Sequence, residues 1–234
     1  MDTSNPRSTA TGARAFFDGL AGGWADRYKN DPSMTARLAR FSDVLAGRVA
    51  PGASVLDFGC GAGVIARWLA SRGYVMSGCD LSLEMIEAAR RDEAASALSW
   101  DTCGDGPLPY ADKTFAAIVS SSVLEYVVDL DSTLAELHRI LAPGGWLLVT
   151  IPDSRHPHRR REALKRLLLR LPLVGAWLER GRWAEGAAYL RLSRNRFSPS
   201  VWVRIIAEHG FHADPVSSCE GPLLLLTARR GDAG

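Results

Sequence analysis

The sequence predicts an α/β fold: a doubly wound, mostly parallel sheet with helices on both faces. Three observations lead there. Short apolar runs that stop on an acid or a serine alternate with stretches of helical periodicity. The connections between them are short and rich in glycine, as strand–helix–strand crossovers require. The 234 residues, 47% hydrophobic and 23% charged, suffice for one large globular domain with a sizeable core.

The chain opens on "MDTSNPRSTATGARA", which lacks a charged-then-apolar leader pattern and reads as a frayed tail. From Ala13 to Tyr28, the residues Phe16, Phe17, Leu20 and Trp24 share one helical face, weakened by Gly19, Gly22 and Gly23. A second helix runs from a Ser33 cap through Met34, Leu38, Phe41 and Leu45. "PGASVLDFG" is a buried strand ending at Asp57, "AGVIARWLASRG" a helix closed by Gly73, and "YVMSGCD" a strand ending on Asp80. "SLEMIEAARRD" is a helix with Ser82 as its N-cap and Glu84 in its first turn. "LSWDTC" supplies a third strand, and "GDGPLPYADKT" a loop. "FAAIVSSS" is the fourth strand, "DLDSTLAELHRILAPGG" a helix with a Pro-Gly-Gly stop, and "WLLVTIP" the fifth strand. After a basic stretch comes the helix "SPSVWVRIIAEHGF", capped by Ser198 or Ser200. A strand near His212 to Ser217 and a last one in "GPLLLLTAR" follow. Right-handed crossovers gather the strand C-termini on one edge, where open α/β sheets bind ligands. Asp57, Asp80, Asp105 and Ser120 to Ser122 fall there.

Composition excludes several classes. Cys60, Cys79, Cys103 and Cys219 are scattered with no CxxC pair, which argues against a disulfide framework and a zinc site and points to a reducing cytoplasm. No run approaches the roughly 18 uncharged apolar residues of a membrane span. The net charge of +2 hides a segregation: Arg155 to Arg196 holds twelve Lys/Arg against three Glu, and the remainder is acidic.

The stretch "VLDFGCGAG" raises the question of ligand. Its glycines, Gly59, Gly61 and Gly63, are spaced GxGxG, so Val64 stands where a dinucleotide fingerprint has its third glycine. Val64-Ile65 also lacks the Lys-Ser/Thr of a phosphate loop. Asp57 beside the turn repels a pyrophosphate and welcomes an ammonium. Asp80 is placed to accept both ribose hydroxyls, and Asp105 an exocyclic amine of adenine. An adenine, a free ribose diol and an amino-acid tail without phosphate describe S-adenosylmethionine.

Together "VLDFGCGAG", "GCDLSLEMIEAAR", "GDGPLPYADKTFAAIVSSSVLEYV" and "LHRILAPGGWLLVTIP" resemble the class I S-adenosylmethionine-dependent methyltransferases of small-molecule type, such as those of quinone biosynthesis, continuously over residues 55 to 152. The resemblance implies a Rossmann-like, seven-stranded sheet with a reversed last strand. It implies that the backbone of Gly59, Cys60, Gly61 and Gly63 approaches the methionine part and that Asp57 binds its ammonium through water or backbone. Asp80 then holds the ribose, Leu81 and Met85 pack on the adenosine, and Asp105 with the Gly106 amide reads the adenine. Ser120 and Ser121 present carbonyls to the methionine end. "WADRY" resembles a lid helix, which brings Tyr28 and Trp24 toward the cofactor or acceptor. Cys60 is expected to fill the turn rather than react. The segments are then a flexible tail (1–12), a helical lid (13–50), a cofactor-binding core (51–152), a basic amphipathic insertion (153–197) and a completing segment (198–230).

For an acceptor hydroxyl, a base must take the proton. His156, just past the fifth strand, is the best-placed histidine; His138, His209 and His212 are expected at the surface. Quinone-precursor O-methyltransferases of this class carry a "VLEHV"-like run. Here "VLEYV" keeps Glu125 and substitutes Tyr126, which is placed to hydrogen-bond the acceptor instead. The reading leans to O-methylation of a lipophilic or anionic metabolite, with N- or C-methylation open. In the insertion, Leu164, Leu167, Leu168 and Leu171 align at i, i+3, i+4 and i+7 among arginines, followed by Trp177 and Trp183. The pattern suits a lid over the acceptor, a peripheral membrane contact through residues 158–183, or an oligomer contact. An RNA methyltransferase using the arginines as a phosphate groove is a competing reading, against which stands the lack of an Asn/Asp-Pro-Pro-aromatic run after strand four. A non-catalytic cofactor-binding partner is the other.

Overall fold

The computed structural model describes residues 6–91, 98–104, 106–171, 177, 180, 183–219 and 221–231. Three helices come first: α1 (Pro6–Leu20), α2 (Trp24–Asn30) and α3 (Pro32–Ala46). Strands and helices then alternate through β1 (Ser54–Phe58), α4 (Val64–Ala70), β2 (Val75–Asp80), α5 (Leu83–Arg90), β3 (Ser99–Thr102), β4 (Phe115–Ser120), α6 (Leu130–Ile140) and β5 (Leu141–Pro152). The insertion contributes α7 (Pro157–Leu169) and α8 (Ala184–Leu192). The chain closes with α9 (Pro199–Glu208), β6 (Phe211–Ala213), β7 (Ser217–Ser218) and β8 (Leu223–Arg230).

The strand order is β3-β2-β1-β4-β5-β8-β6, with the two-residue β7 pairing β8 off this path. Strands β3, β2, β1, β4 and β5 are parallel, and β8 runs antiparallel between β5 and β6. The reversed last strand is therefore present. The order turns back between β1 and β4, which opens a crevice at their C-terminal ends. Side chains alternate along β1 and β4 to feed two cores. Val55, Ala117 and Val119 meet Leu38, Phe41, Leu45 and Leu69 on one face. Leu56 and Ile118 meet Leu134, Leu137, Trp202 and Ile206 on the other.

Two N-terminal expectations need correction. Helix α1 starts at Pro6, so residues 6–12 are helical rather than a frayed tail. Proline is tolerated at a first helical position, and α1 packs on α8. The cap of α3 is Asp31, not Ser33: its carboxylate accepts the Ser33 N–H at 2.9 Å, and Pro32 takes the position that needs no donor. His138 and His209 are half-buried rather than on the surface. His138 stacks edge-on against Phe211 at 5.3 Å, and His209 Nδ1 lies 2.8 Å from the Ile205 carbonyl. Both belong to the packing of the outer sheet edge; His212 is exposed, as expected. Among the described residues, no helix is long and apolar enough to cross a membrane.

Candidate active site

After β1 the chain turns through Gly59 to Gly63 into α4. Gly61 adopts φ +51°, and a Cβ there would lie 2.6 Å from the indole Nε1 of Trp24. Gly63, the N-cap of α4, has φ +76° and is backed by the Trp100 indole. Both positions demand glycine by conformation and by space. Cys60 is buried within the turn. Burial, and then the charges of Asp57 and Asp80, hold its thiol well above the ordinary range, so it fills space and stays protonated.

Asp57 is fully buried, and neither carboxylate oxygen has a hydrogen-bond partner among the described residues. Burial first, and then the negative charge of Asp80, push its carboxyl up to about 8. So exposed a cost in so dry a place calls for a cationic ligand group. Asp80 accepts the Gly61 N–H at 2.8 Å on one oxygen and the Ser82 N–H at 2.9 Å on the other. Burial raises its pKa, with these amides working the other way. Each oxygen keeps a second lone pair, enough for a pair of hydroxyls.

Across the crevice, Ser120 spends its hydroxyl on the Phe58 carbonyl at 2.9 Å. Ser121 Oγ accepts from Arg37 Nη1 at 3.1 Å. Tyr28 is buried with its hydroxyl between Ser121 and Arg37, and burial raises its pKa above that of an ordinary tyrosine. Arg37 is buried too, and its Nε has no partner among the described residues. A buried carboxylate and a buried guanidinium, each with unspent hydrogen-bonding capacity, match the two ends of an α-amino acid zwitterion. Ser122, next in line, sits at φ +58°, a left-handed conformation that costs a serine about 1 kcal/mol or more. It is held there by its N–H donating to Thr150 Oγ1 at 2.8 Å.

The remaining expected contacts divide. Leu81 is half-buried and its carbonyl accepts Arg14 Nε at 3.1 Å, while Ser82 Oγ donates to Asp18, so α1 is tied down over the β2 end of the crevice. Met85 is 1% exposed and its N–H is capped by Ser82 Oγ. Gly106 is exposed in its loop, and Asp105 lies outside the described residues.

On the acceptor side an aromatic wall leads away from the glycine turn. Phe17 lies edge-on to Trp24 at 6.3 Å and to Tyr126 at 5.3 Å, and Tyr126 lies 6.0 Å from Tyr189. The Tyr189 oxygen accepts from Arg159 Nη1 at 3.0 Å. Burial raises the pKa of both tyrosines, so both stay protonated. Glu125, 2% exposed, accepts from Ser193 Oγ at 2.7 Å and pairs with Arg159 at 3.5 Å. Arg159 and Arg196 meet Glu162 at 3.1 and 2.6 Å.

His156 does not fit the role of base. It is the N-cap of α7, and its Nδ1 accepts the His158 N–H at 3.2 Å. The Nδ1 lone pair is therefore already engaged by the cap. The leucines of α7, with Leu171 just beyond it, do not fit an acceptor lid either: Leu164, Leu167, Leu168 and Leu171 are 38–60% exposed, while Arg159 and Glu162 are buried. The ion network to Glu125 turns the charged face inward. Arg37, Arg159 and Tyr189 were missed in the sequence. Arg37 carried a signal, an arginine on the Met34–Leu38–Phe41–Leu45 face of α3; the other two carried none, because only tertiary packing brings them to Tyr126.

A profile of the family described as "Methyltransferase domain" matches residues 29–215. The ubiquinone/menaquinone biosynthesis C-methyltransferase of Desulfotalea psychrophila is 38% identical over 144 residues, which is 59% of this chain and 57% of that protein. The malonyl-[acyl-carrier protein] O-methyltransferase of Serratia marcescens is 37% identical over 98 residues, 42% of this chain and 38% of that protein. The chain thus spans about half the length of the curated relatives it matches. A Haloferax volcanii methyltransferase, solved with the activator Trm112, superposes with a TM-score of 0.71 at 21% identity, covering 92% of this chain and 98% of that one. The 1,6-didemethyltoxoflavin-N1-methyltransferase of Burkholderia thailandensis, solved with 1,6-didemethyltoxoflavin and S-adenosylhomocysteine, gives 0.71 at 16%, covering 99% and 93%. At these identities the likeness is one of fold.

Proposed function

Because the chain belongs to the methyltransferase-domain family, with S-adenosylmethionine as its methyl donor, we propose that it methylates an already ionised oxygen, a carboxylate or an acidic phenol, on a small apolar acceptor. The donor, when bound, supplies an electrophilic methyl group on a sulfonium. For the chain's own part we assign Asp57 to its ammonium, Arg37 to its carboxylate and Asp80 to its ribose diol. The Gly59–Gly63 backbone fits closely against the methionine part. Holding nucleophile and methyl in line contributes up to roughly 7–11 kcal/mol.

One observation carries the choice of acceptor. The Tyr189 oxygen accepts from Arg159, and its own O–H remains to donate. The two tyrosines are protonated and His156 is spent as a cap. The acceptor side thus offers a donor to an anion rather than a base for an alcohol. An oxygen ionised in solution needs no base. The O-methyltransferase among the relatives is named for an acidic acceptor, which agrees with this reading.

A second reading, transfer to carbon, draws on the quinone-pathway C-methyltransferase among the relatives. The outward leucines and arginines of α7 support a further element of the proposal. That helix rests against an anionic membrane surface, from which a lipophilic acceptor reaches the crevice.

The test is a methyl-transfer screen over carboxylic acids, acidic phenols, alcohols and quinone precursors of matched apolar body, with products located by NMR. Rates should follow the ionised fraction of the acceptor. Alcohols methylated as fast as carboxylates, or label appearing on carbon, would overturn the assignment.

A further inference from the structure

Beside the ion network, between α7 and the Arg196–Phe197 segment, runs a cleft of about 410 Å³. Five arginines line it: Arg159, Arg160, Arg166, Arg170 and Arg196. Carboxylates answer only part of that charge. Glu125 and Glu162 pair with Arg159, and Glu162 with Arg196. Among the described residues no carboxylate lies within ion-pair distance of Arg160, Arg166 or Arg170. Arg166 bonds the Ser193 carbonyl, a neutral partner. Burial first, and then the like charges of Arg196 and Arg170, lower its pKa. Arg196 Nη2 is buried with no hydrogen-bond partner among the described residues. Guanidinium groups gathered at such a cost suit a phosphate anion, whose oxygens forked donors bind bidentately.

The cleft also has an apolar side. Ala163, Leu167 and Phe197 line it next to the arginines. Leu167 is 58% exposed and belongs to the outward stripe with Leu164, Leu168 and Leu171. The apolar surface therefore continues from inside the cleft to the outside of the molecule.

We propose that this cleft is a binding site for a phosphate-bearing amphiphile. The phosphate lies on Arg160, Arg166 and Arg170, and the alkyl chain leaves over Leu167 onto the stripe. Two sources share this chemistry, an anionic lipid headgroup and a soluble alkyl phosphate ester. The lipid source rests on the membrane-surface reading above; the site itself does not.

The test has two arms. Calorimetry with octyl phosphate probes the site in solution, and sedimentation with phosphatidylglycerol/phosphatidylcholine vesicles, against pure phosphatidylcholine, probes the lipid source. Arg160→Glu/Arg170→Glu changes two exposed side chains, and Arg91→Glu/Arg204→Glu is the charge-matched control; thermal melting checks that both fold. The cleft variant should lose at least about tenfold in octyl phosphate affinity and in retention by anionic vesicles, with the control close to wild type. Octyl phosphate binding without vesicle binding supports the site with a soluble ester as its source. Vesicle binding that the cleft variant retains overturns the site while leaving the membrane reading standing, since the leucines alone then carry it. No octyl phosphate binding, or equal loss in the control, also overturns it.

Discussion

Asp57 should make donor binding expel a proton. Its carboxyl is pushed up to about 8 from an ordinary 3.8 by complete burial, with Asp80 adding to the shift. In the free protein it is therefore protonated at neutral pH, whereas an ammonium partner needs it ionised. Between about pH 5.5 and 7 each bound donor should release close to one proton, and Kd should fall about tenfold per pH unit. Nearer pH 8 the slope flattens, because the donor's own α-amino group titrates at about 7.7–8.0.

The same residue sets the stability of the free protein. Between 3.8 and about 8 the folded state holds a proton that the unfolded chain has lost, so stability falls as pH rises through that window and levels off above it. The full span is worth about 6 kcal/mol at most, from the two pKa values. Asp57→Asn, neutral at every pH, should abolish both effects: it should bind the donor weakly and be more stable than wild type at pH 8. Calorimetry in phosphate and in Tris gives the proton count, and thermal melts from pH 5 to 9 give the linkage. A proton count near zero at pH 6.5, with melting of wild type and variant running parallel, would refute the reasoning.

Other outcomes follow from the same geometry. Asp80→Ala should raise the donor Kd at least about tenfold, about 1.4 kcal/mol, by calorimetry; unchanged affinity removes the ribose assignment. Gly63→Ala forces a side chain at φ +76° against Trp100 and should cost about 1–3 kcal/mol in urea melts, where a wild-type midpoint argues against the packing described. Arg159→Met strands Glu125 in the interior, a loss of about 3–5 kcal/mol, part of which Glu125→Gln in the same chain should recover. Tyr189→Phe should raise KM for anionic acceptors about tenfold with little change in kcat. The hydrogen bond holds the anion, and the anion's charge is neutralised as the new bond forms. A fall in kcat alone contradicts that role.

The strands and the glycine turn were legible because each rests on local chemistry. A buried parallel strand must read as an apolar run, and β1 and β4 do. The turn after β1 must be glycine where φ is positive and an indole lies against the backbone, so Gly61 and Gly63 announce themselves. Asp57 and Asp80 are acids at strand ends, positions where hydrophobic patterning offers no reason for a charge. Arg37 was readable by the same rule, being a charge on an apolar helix face, and it was passed over because Met34, Leu38, Phe41 and Leu45 explained the helix without it.

The acceptor side obeys a different logic. In α7, spacing marks two opposite faces, one of leucines and one of Arg159, Glu162 and Arg166, and periodicity cannot say which of them turns inward. The usual inference buries the leucines. Here Glu125 decides otherwise: it is already held in the interior by the strand it follows, and a carboxylate there needs compensation that leucine cannot give. Arg159 supplies it, and Glu162, Arg196 and Ser193 complete the set. Once that network forms, the leucines have nowhere to go but outward. The direction of an amphipathic helix was thus fixed by one buried acid 34 residues away from Arg159, a distance over which sequence pattern carries no information.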